Sequence, residues 1–263
     1  MFLENYVMNS GLLGIGLNTV LVFIAWIAPK KLLTPVGLIH AWFLGAILWL
    51  TLGWQGYLLV IFYFLVGSAV TRIGMAEKEA LGIAEERSGT RGPGNVWGSA
   101  FTGSVCALAV LAVRLFYPTT DGNLKLTIVS LLILGFVASF STKLSDTSAT
   151  EVGKAYGKST YLITTLKPVP RGTEGAVSLE GTLAGIFASA AIAFFGWGIG
   201  LIDLIGVLWC TLAAFIATNI ESVIGATLES RYDWLTHDVV NIVNTSIGAI
   251  VAIALALLWK SFS

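Results

Sequence analysis

Charge is scarce in this sequence. Of its 263 residues, 11% are Asp, Glu, Lys or Arg, against roughly 25% in ordinary soluble domains, while 56% are hydrophobic and the mean hydropathy is +0.84. That composition excludes a soluble globular fold and reads as an integral membrane protein. An excess of one sign is missing too: 15 Lys+Arg balance 15 Asp+Glu, so a generally basic nucleic-acid binder is excluded and no nucleic-acid partner is expected. Cysteine is limited to Cys106 and Cys210, both inside apolar runs, where they read as small packing residues rather than a disulfide. The two histidines, His40 and His237, have no second His or Cys at ligand spacing, so neither announces a metal site. His40 reads as packed or interfacial; His237, beside Asp238, is a minor candidate for proton handling or substrate contact. No Lys or Arg precedes the first apolar run, unlike a secretory signal, so that run is expected to be retained as a span.

What is present is a series of long apolar runs. A span needs about 20 such residues, and eight stretches approach that length, near 9–28, 36–53, 55–71, 96–116, 124–142, 178–198, 201–218 and 240–259. They lack the period-two alternation of a transmembrane barrel. The expected architecture is therefore all-α: a polytopic transmembrane helical bundle of about eight spans, seven to nine, forming one domain over 1–263. Gly53-Trp54-Gln55-Gly56 and Gly196-Trp197-Gly198-Ile199-Gly200 suit tight turns inside two helical hairpins. Trp54, Trp97, Trp197, Trp234 and Trp259 fall near span ends, as interfacial anchors do.

The charges are segregated. Lys30, Lys31, Arg72, Lys78, Arg87, Arg91, Lys143, Lys154, Lys158, Lys167, Arg171 and Arg231 fall on one side, leaving Arg114, Lys125 and Lys260 on the other. The positive-inside bias then places the richer side in the cytoplasm or its stromal equivalent, with both termini opposite. Two long connections on that side, 72–95 and 143–177, carry 16 of the 30 charges, of both signs.

Polar or small residues recur at three-to-four spacing where the chain re-enters the membrane. After the fifth run come Lys143, Asp146/Thr147, Thr150/Glu151 and Lys154; before the fourth come Asn95, Gly98/Ser99 and Thr102/Gly103. Glu174, Ser178, Gly181/Thr182 and Gly185 precede the sixth run, Asn219, Glu221, Ser222 and Gly225 close the seventh, and Asn241, Asn244/Thr245 and Gly248 open the eighth. Close helix packing accounts for Gly181, Gly185, Gly225 and Gly248. It does not account for ionised groups such as Lys143, Asp146, Glu151 and Glu221, each of which costs about 2.5 to 3.5 kcal/mol at a span's centre. Convergence at one leaflet boundary suits a substrate with a lipid tail and a polar head. Lys and Arg can neutralise phosphate oxygens, and carboxylates can hold Mg²⁺, so phosphoryl transfer fits the set. The Gly-rich turns Gly89–Asn95 and Arg171–Gly175 each lead towards a helix start that could receive a phosphate. The segment Gly153–Thr160 imitates a P-loop, but its glycines are four apart where the motif needs five, and no βαβ unit surrounds it.

Four stretches, 77–100, 141–185, 219–226 and 237–252, resemble the transmembrane protein 19-like family of integral membrane proteins, whose plant and cyanobacterial branch includes the phytyl-phosphate kinases of vitamin E synthesis. The resemblance rests on Asp146-Thr147 with Glu151 (DT-x-x-x-E), Arg91 to Asn95 (R-G-P-x-x-V), Arg171, Thr173, Glu174 and Ser178 (R-G-T-E-G-x-x-S), Glu221-Ser222, and Asn241 with Asn244. Thr90 stands where plant relatives carry a further Arg. The resemblance implies transfer of a phosphoryl group from a nucleoside triphosphate, with CTP the expected donor, to phytyl phosphate, giving phytyl diphosphate for tocopherol and phylloquinone. Taken with the polar stripes, it leads to the expectation of Asp146, Lys143 and Glu151 in the catalytic centre, with Asp146, Glu151 and Glu221 as candidate Mg²⁺ ligands. Arg91, Asn95, Ser99, Lys154, Arg171, Thr173, Glu174 and Ser178 would meet nucleotide and phosphate, and Asn219, Ser222, Asn241 and Asn244 the substrate head group. A kinase or cytidylyltransferase acting on another polyprenyl or lipid phosphate is the nearest alternative, and a membrane transporter is the alternative of another class. The lipid bilayer of a cyanobacterial or chloroplast membrane is the expected setting.

Overall fold

Each apolar run closes its backbone hydrogen bonds within itself, as a chain in hydrocarbon must. In the computed structural model, which describes residues 2–117 and 122–262 apart from the side chains of 2–10, 86, 230 and 262, these runs are α1 (Phe2–Ile27), α2 (Pro35–Thr71), α4 (Pro93–Phe116), α5 (Gly122–Tyr156), α6 (Leu179–Gly198), α7 (Leu204–Thr227) and α8 (His237–Phe262). A six-residue helix, α3 (Met75–Ala80), lies between α2 and α4. Among the described residues six helices, α2 and α4 to α8, are long and apolar enough to cross a membrane, and the apolar part of α1, Gly11–Ile27, is shorter. The chain is a multi-pass helical membrane protein.

The 37 residues of α2 are two antiparallel arms. Gly53, at φ 70° and ψ −159°, reverses the chain in a conformation open to glycine. Trp49 and Tyr57 then bring their rings within 5.3 Å, although eight helical residues would separate them by about 12 Å. At the far end Arg72 Nη2 donates to the carbonyl of Lys31. This is the hairpin expected at Gly53–Gly56, and with its arms counted separately the eight apolar segments expected from the sequence are all present.

The central element is α5, which packs against α2, α4, α6, α7 and α8. Its 35 residues rise about 52 Å, well beyond the ~30 Å of hydrocarbon. The segment 143–177 is thus not a loop throughout: its first part, to Tyr156, continues α5 because the polar side chains there find partners inside the bundle. The remainder folds into an antiparallel pair, β1 (Thr160–Leu162) with β2 (Ala176–Ser178), in which Thr160 faces Ser178. The connection 72–95 likewise contains α3 and the first turn of α4. Gly153–Thr160 runs from helix into strand, the reverse of the strand-to-helix order of a P-loop, so the exclusion of that motif holds.

The middle of the bundle is apolar: Leu48, Leu59, Val110, Phe136, Phe140 and Ile192 are fully buried, and Phe140 packs against both Phe136 and Tyr63. Cys106 and Cys210 are buried and free, and His40 Nδ1 accepts the Trp97 indole N–H at 2.9 Å, both as read from the sequence. A Cβ on Gly181 would stand 2.5 Å from the carbonyl oxygen of Ala149, and one on Gly185 3.0 Å from that of Ser145, so these glycines seat α6 on α5. Gly248 yields its space to Thr142, whereas the atoms nearest Gly225 are at ordinary contact distance and do not demand a glycine. The helix directions gather the twelve segregated Lys and Arg residues at one end of the bundle, the end where α5 emerges.

Candidate functional site

At that end the helices part around the second half of α5 and leave a cavity of about 600 Å³. Its walls are the first turns of α4, α6 and α8, the last turns of α7, the β1–β2 segment and α5 itself. Lys143, Asp146, Glu151 and Lys154 project into the wall from α5, because a helical spacing of three, five and three residues spreads them over adjoining faces.

Lys143 is the hub. Its Nζ donates to Asp146 Oδ2 at 2.6 Å and to Asn241 Oδ1 of α8 at 2.5 Å. Glu221 of α7 lies within hydrogen-bonding reach of Asp146, so two carboxylates and one ammonium share a buried corner. Glu151 has a different partner. Lys78 of α3, with no solvent exposure, donates to Glu151 Oε2 and to the carbonyl of Thr71 at 2.8 Å. In the sequence Lys78 is one of several charges in 72–95, and the short charged stretch Met75–Ala80 carries no signal that marks it as buried.

The Gly-rich turns are more committed than their sequences imply. Asn95 Oδ1 accepts the Gly92 N–H at 2.9 Å, and the Asp238 carboxylate stands over Gly94 and Gly98, so the start of α4 already has its anionic and capping partners. Arg91 reaches under that turn: Nη1 donates to the Tyr63 hydroxyl at 2.9 Å and the guanidinium lies 5.3 Å from the Tyr63 ring centre. Ser178 Oγ accepts the Gly181 N–H and caps α6. Gly175, at φ 74°, presses the β1–β2 segment against Ser222 and Ala226 of α7, where any Cβ would collide with backbone. Thr173 Oγ1 donates to the carbonyl of Pro170.

Most of the candidates come together. Arg91, Asn95, Ser99, Lys143, Asp146, Glu151, Lys154, Thr173, Glu174, Ser178, Asn219, Glu221, Ser222 and Asn241 all line the cavity. Two do not. Arg171 lies outside the wall, with Nη1 donating to the carbonyls of Lys154 and Ala155 and Nη2 paired with Glu77 at 2.9 Å, so it clamps the end of α5 to α3. Asn244 lies one turn beyond Asn241, fully buried, with neither amide atom partnered. At the outer edge His237 Nδ1 pairs with Glu229 Oε1 at 2.7 Å, and Glu174 brings a further carboxylate within 4.8 Å of both. Burial pushes the Glu229 carboxyl above its ordinary range, His237 opposes the rise and Glu174 adds to it. Neither carboxylate lies at a recognisable ligand spacing from His237 in the sequence, since Glu174 comes from the segment before α6 and Glu229 from the turn after α7.

The fold and cavity define a polytopic helical membrane protein that gathers ionised groups at one end of its helical bundle. The chain belongs to the family described as integral membrane protein DUF92, whose model matches residues 18–249. It is 62% identical to an uncharacterised membrane protein of Synechocystis sp. over 91% of this chain and 88% of that one. It is 46% identical to the chloroplastic protein VTE6 of Arabidopsis thaliana, over 90% of this chain and 69% of the relative. A membrane protein of Methanocaldococcus jannaschii shares 29% identity over 86% of this chain and 87% of its own length. No solved structure matches the chain.

Proposed function

We propose that this protein is an isoprenoid-phosphate kinase that transfers the γ-phosphoryl group of a nucleoside triphosphate, CTP by preference, to phytyl phosphate. The observation that carries this reading is the corner formed by Lys143, Asp146, Asn241 and Glu221, in which Lys143 and Asp146 are buried and all four line a cavity of about 600 Å³ at the charged end of the bundle. The likeness to VTE6 and the resemblance to phytyl-phosphate kinases support the choice of phytyl phosphate as acceptor.

An oxygen of the acceptor phosphate attacks the γ-phosphorus, the bridging P–O bond to the β-phosphate breaks, and phytyl diphosphate and the nucleoside diphosphate leave. The acceptor is already ionised, so no strong base is required; positioning and charge neutralisation do the work. Lys143 holds acceptor oxygens near Asn241. Lys154, whose ammonium makes no hydrogen bond or ion pair among the described residues, and Arg91 are placed for donor phosphates. Six acidic side chains face four basic ones in the wall, an imbalance that would repel a polyphosphate arriving without its counterion. Asp146 and Glu221 form the oxygen donor set that fits Mg²⁺, while Glu151 is taken up by Lys78. An ion held by these two carboxylates would supply positive charge to neutralise the donor phosphates. The segregated positive residues favour a site facing the cytoplasm or stroma.

Purified protein in detergent, incubated with phytyl phosphate, Mg²⁺ and each of the four nucleoside triphosphates, is expected to form phytyl diphosphate, fastest with CTP. Because no sealed vesicle is present, a transporter gives no product, and absence of diphosphate with every donor overturns the assignment.

A further inference from the structure

The cavity is not confined to its polar end. Its wall descends α7 from Ser222 to Phe215 and α6 from Gly181 to Gly185. Phe215 lies six residues, about 9 Å, deeper along α7 than Glu221. It lines the cavity and is nevertheless 41% exposed, and Leu212 and Ile216 beside it on α7 face outward, as do Leu183 and Phe187 on α6. At this depth the wall of the polar cavity and the lipid-facing surface therefore meet at one side chain.

Gly181 and Gly185 let α6 sit directly on the backbone of Ala149 and Ser145, close against α5 in this stretch. At the opposite end α6 and α7 are joined by the tight turn through Gly198 and Gly200, while at the cavity end Thr182 and Gly185 of α6 and Phe215, Thr218 and Asn219 of α7 line the cavity from either side. On the other flank the amide of Asn219 is turned back to donate to the carbonyl of Phe215 at 2.7 Å and does not bridge the gap.

We propose that the opening between α6 and α7 is a lateral portal through which the isoprenyl chain of a lipid phosphate passes from the cavity into the bilayer, with Phe215 and Thr182 as its lining. The proposal rests on the reading of the cavity as a lipid-phosphate head-group site, but not on phosphoryl transfer. A long-chain phosphate has to present its head to Lys143 and Asp146 while its chain stays in hydrocarbon, and a closed wall would force that chain through water. A second apolar groove, of about 270 Å³ between α1 and α2 and lined by Val22, Trp26, Leu38, Ile39, Trp42 and Phe43, shares no residue with the cavity and is the rival location for a chain.

Two measurements test the portal. With the protein in nanodiscs, an isoprenyl phosphate carrying a diazirine midway along its chain is expected to label peptides around Thr182–Phe187 and Leu212–Phe215, in competition with unlabelled lipid phosphate; labelling of Val22–Phe43, or of all lipid-facing helices alike, overturns it. Phe215→Trp and Thr182→Trp are each expected to raise KM for a long-chain acceptor about tenfold relative to KM for a short, water-soluble isoprenyl phosphate, with kcat little changed; an equal shift for both acceptors overturns it. Labelling at the portal by a protein that turns over no acceptor upholds the portal and removes the kinase reading. Turnover with labelling elsewhere does the opposite.

Discussion

Two buried lysine–carboxylate pairs meet on α5 little more than one turn apart. In the first, Lys78 and Glu151 retain 0% and 4% of their side-chain exposure, and the remaining reach of the ammonium is used on the carbonyl of Thr71. That pair links α3, α5 and the end of α2 and is complete within the protein. In the second, Lys143 and Asp146 are also buried, but Asp146 faces Glu221 and both members of the pair line the cavity. Here a carboxylate stands beside another carboxylate with acceptor capacity unfilled, which is costly unless a cation or a proton arrives. Burial and charge alone therefore do not mark a chemical centre. What separates the two pairs is that Lys143 and Asp146 both line the cavity beside a second carboxylate, whereas in the first pair only Glu151 reaches the wall and its cation, Lys78, is enclosed by protein.

That comparison is broken most directly through Asp146. Asp146→Asn preserves shape and leaves Lys143 its bond to Asn241, but removes the charge facing the cavity. Formation of diphosphate should fall by at least about a thousandfold, equivalent to about 4 kcal/mol of barrier, as when positioned electrostatics are removed. Its melting temperature should move less than that of the next variant. Lys78→Met is expected to act in the opposite manner: leaving Glu151 buried without its partner should destabilise the fold by about 3 kcal/mol, read as a lowered midpoint in thermal or denaturant unfolding. Adding Glu151→Leu should recover much of that loss, while turnover per folded molecule stays closer to wild type than in Asp146→Asn. If Lys78→Met spared stability and abolished turnover, the assignment of the two pairs to structure and chemistry would be reversed.

The sequence made one of these pairs legible and hid the other. Lys143 and Asp146 lie three apart on one helix, so periodicity alone predicts that they meet. Lys78 and Glu151 are 73 residues apart, and nothing in the short segment Met75–Ala80 announces that it folds back under α5. The same contrast runs through the rest of the chain. Spans, the hairpin at Gly53 and the glycines under α6 follow from local composition, because lipid forces each apolar run to satisfy its own backbone. Arg171 and Asn244 sit within motifs that suggested ligand contact, yet one clamps carbonyls at the end of α5 and the other is buried below the cavity. Their placement depends on where α5 stops and how α8 is rotated, and both are tertiary facts. The stripe from Lys143 to Lys154 has helical spacing in the sequence, yet its continuity with α5 is a tertiary fact of the same kind: polar residues beyond a span read as a loop until the partners that bury them are known.

A third acid–base pair extends the comparison to a more hydrated setting. Glu229 and His237 lie at the mouth of the cavity, where His237 is largely exposed and Glu174 stands close by. Partial burial, reinforced by Glu174 and opposed by His237, raises the Glu229 carboxyl above its ordinary 4.5. The native state therefore holds that proton more tightly than the unfolded chain does. Its contribution to stability is present at low pH and is lost as pH rises through the raised value, the reverse of an acid held in a strong ion pair. Glu229→Gln can still accept a hydrogen bond from His237 but cannot ionise. Melting temperatures of the two proteins should lie closest together at or below the ordinary 4.5 and separate as pH rises through the raised value, with the variant the more stable above it. Parallel curves across that range would mean that His237 compensates Glu229 as fully as Lys78 compensates Glu151, and the difference between a hydrated and a dry pair would disappear at this position.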